Sequence, residues 1–191
     1  MIATLNNSNT AFPSAAKAVH TTEKVSSRFY EKLEQLLWIE HQMASFLVKA
    51  KKMADGLILK SAINQLVQIS QNRSEQLTNA FAKISAKPNM VKCDAFETLT
   101  QDFDACTDTS DTAIRNAAIV FELQNITEFK IENYSELCEL AEEFNAPQVT
   151  KLAEQMLQGE ICTDASLMDL SIDYLGNEDI DVSEFIEEDE F

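Results

Sequence analysis

Residues 29–50 read FYEKLEQLLWIEHQMASFLVKA. Phe29, Leu33, Leu36, Glu40, Met43, Leu47 and Ala50 recur at spacings of four and three, so on a helix they form one stripe. Every member is apolar except Glu40. A carboxylate in the middle of a buried stripe is costly unless it is paired, protonated or bound to a cation. Three further segments repeat the pattern, each with polar residues near its midpoint. The second runs Leu59, Ala62 or Ile63, Leu66, Ser70, Arg73, Leu77, Ile84. The third runs Ala113, Ala117, Val120, Gln124, Thr127, Ile131, Tyr134, Cys138, Ala141. The fourth runs Val149, Ala153, Met156, Glu160, Thr163, Leu167, Leu170, Tyr174. One polar seam residue alone reads as a register-fixing group or a solvated edge. Four at one depth point to a past or present site in the core of a helical bundle.

The boundaries between these segments carry turn and cap chemistry. Residues 1–22 are rich in Asn, Ser, Thr and Ala and lack periodicity, which reads as a flexible arm. Thr21, Thr22 and Glu23 offer caps for the first helix, which Asp55-Gly56 ends after Ala54. That short connection sends the second helix, 57–86, back antiparallel, and Lys87-Pro88-Asn89 stops it. The long stretch up to Ser110 holds one short amphipathic piece, Cys93 to about Asp104, with Phe96, Leu99 and Phe103 on one face. Thr109-Ser110-Asp111 caps the third helix, which reaches Phe144. Asn145-Ala146-Pro147 breaks the chain before the fourth, which runs to Leu175, where Gly176-Asn177 closes it. The expected fold is all-α: two helical hairpins over residues 23–175, joined by a long crossover carrying a short helix, as in a ferritin-like four-helix bundle.

The chain has 191 residues with only 3 Gly and 3 Pro, little turn chemistry for a multi-stranded sheet. No glycine-rich phosphate-binding pattern is present. The net charge of −17 opposes binding to nucleic acid and to an anionic membrane surface. No apolar run reaches the length of a membrane span, and no secretory signal is visible. The cysteines, at 93, 106, 138 and 162, form no C-x-x-C pair, which fits a reducing, cytoplasmic setting. Residues 176–191 form an acidic tail with eight Asp and Glu. Its composition reads as a solvated end, and removal of residues 178–191 is expected to leave helicity and thermal stability nearly unchanged. The interspersed Ile180, Val182, Phe185, Ile186 and Phe191 give a second reading, a segment that docks on a protein partner.

Several runs resemble the YciE/YciF family of stress-associated, ferritin-like bacterial proteins. They are Leu37-Trp38-Ile39-Glu40-His41-Gln42-Met43, Lys92-Cys93-Asp94-Ala95-Phe96, Arg115-Asn116-Ala117-Ala118-Ile119 and Glu160-Ile161-Cys162-Thr163-Asp164-Ala165-Ser166-Leu167. The likeness covers residues 25–175 and implies a bundle holding a carboxylate-bound metal pair. Glu40 and Glu160 match the carboxylates of the first and fourth helices, and Asp164, one turn later, also matches. The second-helix pattern E-T-x-x-[HQ] is here Ile69-Ser70-Gln71-Asn72-Arg73, so Ile69 replaces its acid. The third-helix pattern Q-x-x-E-H-[YF]-E-I is here Gln124-Asn125-Ile126-Thr127-Glu128-Phe129-Lys130-Ile131. Thr127 and Lys130 replace its acids and Glu128 its histidine.

A di-iron or di-manganese site needs several anionic oxygen donors. Glu40 and Glu160 supply two, and Asp164 a third if it points inward. Arg73 and Lys130 bring positive charge to the same layer. His20 and His41 are the only histidines, and neither is placed to complete an E-x-x-H ligand pair. The expectation is a metal-free, non-catalytic bundle with a structural or interaction role, without cofactor. At least one of the two bases should lie within hydrogen-bonding reach of Glu40 or Glu160. The alternative is a metal-binding protein or oxidase with iron or manganese on Glu40, Glu160 and Asp164. An apolar outer strip would suit a homodimer.

Overall fold

The computed structural model describes residues 15–175, and the side-chain surroundings of residues 23–172. The expected acidic tail and most of the expected arm lie outside these residues. Among the described residues six helices follow one another: α1 (Ala15–Met53), α2 (Leu57–Lys83), α3 (Asp94–Leu99), α4 (Phe103–Thr107), α5 (Thr112–Glu143) and α6 (Pro147–Leu175). No strand occurs among the described residues.

Local chemistry accounts for the ends. Gly56 takes φ 80° between α1 and α2, a left-handed conformation that costs glycine little. Asp111 caps α5, its Oδ1 accepting from the N–H groups of Ala113 and Ile114. Pro147 opens α6, where its missing N–H costs no helical bond. Two ends differ from expectation. α1 starts at Ala15, so the helix reaches back past Thr21, Thr22 and Glu23. α2 stops at Lys83 because Ser85 adopts φ 56° and Ala86 N–H turns back to the Phe81 carbonyl.

α1 and α2 form one hairpin, α5 and α6 the other. The crossover returns along the α1–α5 groove. Phe96 meets Trp38 at a ring-centroid distance of 6.0 Å and Phe129 at 6.2 Å, and Phe103 meets Phe46 at 4.7 Å. It carries two short helices rather than one, separated at residues 100–102, where the Thr100 hydroxyl donates to the Phe96 carbonyl at 3.0 Å. α5 therefore packs antiparallel beside α1, and α6 antiparallel beside α2, while α2 and α5, on opposite corners, run in the same direction, the down-down central order of a ferritin-like bundle.

The start of α5 clamps the α1–α2 turn. Arg115 Nε donates to the Met53 carbonyl at 3.0 Å and Nη1 to the Thr109 carbonyl at 2.7 Å. Asn116 accepts from Asp55 N–H at 2.9 Å and donates to its carbonyl at 3.2 Å.

The core is continuous from Phe29 to Leu167, and each fully buried large side chain contributes about 1.5–3 kcal/mol. On α1 the expected stripe is the buried one. On α2 it passes through Ile63 and Val67, leaving Ala62 and Leu66 half-buried. On α5 it is rotated by about one residue: Leu123, Ile126, Lys130, Tyr134 and Leu137 face inward, while Ala113 is exposed and Gln124, Ile131 and Cys138 are half-buried. α5 is apolar on more than one side, so periodicity alone defined its phase loosely.

Candidate functional site

Halfway along the bundle each long helix contributes one buried charged side chain to a single layer. These are Glu40 from α1, Arg73 from α2, Lys130 from α5 and Glu160 from α6. The seam spacing on each helix aims them inward. The two hairpins hold them at one level.

Lys130 Nζ lies 2.8 Å from Glu40 Oε1 and 2.6 Å from Glu160 Oε1, so one ammonium bridges two carboxylates that belong to different hairpins. Arg73 Nη1 donates to Glu160 Oε1 and stands 3.9 Å from Glu40 Oε1. Two hydroxyls complete the shell of Glu40: Tyr134 donates to Oε1 at 2.7 Å and Ser70 to Oε2 at 2.5 Å. Ser70 also lies 2.9 Å from the Glu40 carbonyl. The Arg73 guanidinium stands 5.8 Å from the Tyr134 ring centroid, within cation–π range. Two acids and two bases give the layer a formal charge of zero. No buried side-chain polar atom of the described residues lacks a hydrogen-bond partner.

The electrostatics follow from burial and these neighbours. Burial pushes the Glu40 carboxyl up, but Lys130 and Arg73 outweigh it and hold it below the ordinary carboxylate range. Burial and the nearby Arg73 charge bring Lys130 down to about 8 despite the attraction of Glu40. Burial, then the Glu40 charge, pushes the Tyr134 phenol well above its usual value, so it stays a donor.

The sequence-nominated residues divide into those that meet and those that do not. Glu40, Glu160, Ser70, Arg73 and Lys130 converge. Thr127 is buried in the layer, but its hydroxyl donates to the Leu123 carbonyl one turn back. Thr163 likewise donates to the Gly159 carbonyl. Ile69 is 37% exposed at the rim, Glu128 is exposed, and Gln124 and Asp164 are half-buried. Among the described residues no three His, Cys, Asp or Glu side chains are grouped so as to hold a metal ion, and Asp164 does not join Glu40 and Glu160 in such a group.

Two contributors were not nominated. The spacing places Tyr134 in the apolar seam, and its polar end finds Glu40 only in three dimensions. Gly159 faces Arg73, and a Cβ on it would lie 2.8 Å from Arg73 Nη2. A glycine inside a helix, one residue before a seam carboxylate, was the signal available. Glycine there costs about 0.5–1 kcal/mol relative to alanine, so space is its reason for being present.

Residues 24–178 match a family model described as "Domain of unknown function (DUF892)". Protein YciF of Escherichia coli (strain K12) is 24% identical over 135 residues, which cover 70% of this chain and 81% of that protein. The crystal structure of the E. coli stress protein YciF superposes with a TM-score of 0.76 at 22% identity, over 81% of this chain and 98% of that one. A ferritin-like, diiron-carboxylate protein from Bacillus anthracis str. Ames superposes with a TM-score of 0.61 at 14% identity, over 77% of this chain and 97% of that one.

Proposed function

This chain belongs to the DUF892 family, and from that premise we propose that it is a non-catalytic, ferritin-like bundle whose metal layer has been replaced by a buried set of ion pairs. Its role in this reading is structural or interactive, and associated with stress as the name of its YciF relative suggests. One observation carries the reading: the Lys130 ammonium lies within hydrogen-bonding distance of both Glu40 and Glu160. A divalent cation would compete for those carboxylate oxygens against a fixed positive charge. It would also meet the Arg73 guanidinium on Glu160. A carboxylate-bound metal pair requires more anionic donors than two, and the donor set of this layer does not suit one.

In this reading the chemistry of the layer is cohesion. A buried base that bridges two carboxylates fixes the relative level of four helices, because sliding one helix by a turn would leave charges unpaired in the core. In this reading the ion pairs set register where the family likeness implies a metal.

Elemental analysis of the purified protein tests this, before and after incubation with ferrous iron or manganese under air. The expected result is iron and manganese far below one ion per chain in both samples. Two tightly held transition-metal ions per chain would overturn the reading and restore the alternative, a metal-binding protein or oxidase working with a reduced ligand set that includes Glu40 and Glu160.

A further inference from the structure

The tip of the first hairpin is apolar, exposed and basic. Leu57 is 88% exposed, Ile58 67% and Val48 46%. Around them lie Lys49, Lys51, Lys52 and Lys60, and from residue 41 to residue 72 Asp55 is the only acid. Lys49 is taken by Asp104 at 2.6 Å, and Lys51 donates to Asn64 at 2.8 Å. Lys52 and Lys60 belong to no ion pair among the described residues. In a chain of net charge −17 such a tip is an anomaly, and two bulky side chains left in water there call for a cover.

The fold brings one segment to that place. Arg73 of α2 meets Glu160 of α6, and the two helices run antiparallel. Going back along α2 to Ile58 and forward along α6 to Leu175 covers equal numbers of residues, so the last residue of α6 lies level with Ile58. From there the chain continues with residues 176–191, which hold eight acids, no base, and Ile180, Val182, Phe185, Ile186 and Phe191. At about 3.3 Å per residue this stretch can reach roughly 50 Å. Neighbouring helices stand only about 10 Å apart, so the whole tip is within range.

We propose that the tip of the first hairpin is the docking surface of the chain's own C-terminal segment, residues 177–191. Its apolar side chains cover Leu57 and Ile58, and its acids face Lys51, Lys52 and Lys60. Charge and hydropathy select this occupant together. The segment is complementary on both counts, and its attachment at the level of Ile58 raises its local concentration over that of any free partner. The second hairpin, with three bases against twelve acids in residues 112–175, would repel it. Of the two readings its composition allowed, a solvated end and a docking segment, this surface favours the second, with the occupied partner being the bundle itself.

Methyl NMR on the full chain tests the proposal, with Leu57 and Ile58 as reporters. Ending the chain after Gly176 should shift both signals, and so should the paired substitution Phe185→Ser with Ile186→Ser in the full-length protein. Raising the salt should move the full-length spectrum toward the truncated one, because the acid–lysine attraction is screened. Tenfold dilution should change nothing. Reporter signals that ignore both variants would overturn the proposal and leave the segment as a solvated end. Signals that move on dilution instead would assign the tip to a second copy of the chain. Signals that ignore the variants but respond to anionic phospholipid vesicles would assign it to a lipid surface.

Discussion

The two hairpins share a geometry and differ in charge. Residues 15–83 hold ten Lys and Arg against six Asp and Glu, whereas residues 112–175 hold three against twelve. The net charge of −17 is therefore a property of the second hairpin, the crossover and the C-terminal segment, and the first hairpin opposes it. Within the core this asymmetry disappears. Each hairpin supplies one acid and one base to the central layer, Glu40 and Arg73 from the first, Lys130 and Glu160 from the second. The surfaces of the hairpins attract over a range of about 10 Å, an attraction that salt weakens. The layer is buried, screened little, and specific. Surface charge can bring the hairpins together; in the proposed reading the layer distinguishes the right register from a slipped one, alongside the Arg115 and Asn116 clamp on the α1–α2 turn.

If the layer is what joins the hairpins, removing one charge from it should cost far more than any surface change. Lys130→Ala and Arg73→Ala should each lower the unfolding free energy by about 3–5 kcal/mol in urea titrations, since each leaves a buried carboxylate without its base. Replacing all four charged residues of the layer with apolar ones should cost much less. Unchanged stability in both single variants would mean that the hairpins associate through apolar packing alone.

The acidity of the layer gives a graded version of the same test. The Glu40 carboxyl titrates below its ordinary value of 4.5 in the folded chain. Its contribution is complete above the unfolded value and is lost as pH falls through the folded one. Lys130 goes the other way, from 10.5 down to about 8. Across that window the folded chain has released a proton that the unfolded chain keeps, so this group makes stability rise with pH. Tyr134, raised well above 10.0, turns the curve down again at the alkaline end, because the unfolded phenol ionises first. Unfolding titrations at a series of pH values should show an acid loss below 4.5 and a rise from about 8 toward 10 that Lys130→Met abolishes. A flat profile between 8 and 10 in the parent protein would contradict the assignment of that titration to Lys130.

The smallest effect separates space from charge. Gly159→Ala should stabilise an ordinary helix by about 0.5–1 kcal/mol. Here the new methyl would press on an Arg73 guanidinium that Glu160 holds in place, and a loss of about 1–3 kcal/mol is expected from the overpacking. In an Arg73→Met background the same substitution should return to a gain. A gain in both backgrounds would show that Gly159 does not make room for Arg73.

The sequence by itself determined the four long helices, most of their ends and the all-α class; the start of α1 and the stop of α2 were not among them. The features it determined depend on interactions between near neighbours: the 4-3 recurrence from Phe29 to Ala50, the Asp111 cap, the turn at Gly56 and the break before Pro147. It also determined that a layer of polar seam residues exists and that Arg73 and Lys130 belong at its depth. Tertiary structure decided which of them meet. Thr127 and Thr163 carry hydroxyls at the right depth, yet each donates to its own helix, a choice no spacing reveals. The phase of α5 was settled by packing against α6 and the crossover, which turned Lys130 inward and left Gln124 at the edge. The bridge from Lys130 to both carboxylates joins residues 90 and 30 positions away in the chain. Such a contact is fixed by the relative level and rotation of separate helices. Local periodicity sets the face each helix presents, but that level and rotation arise only when the four faces are packed together.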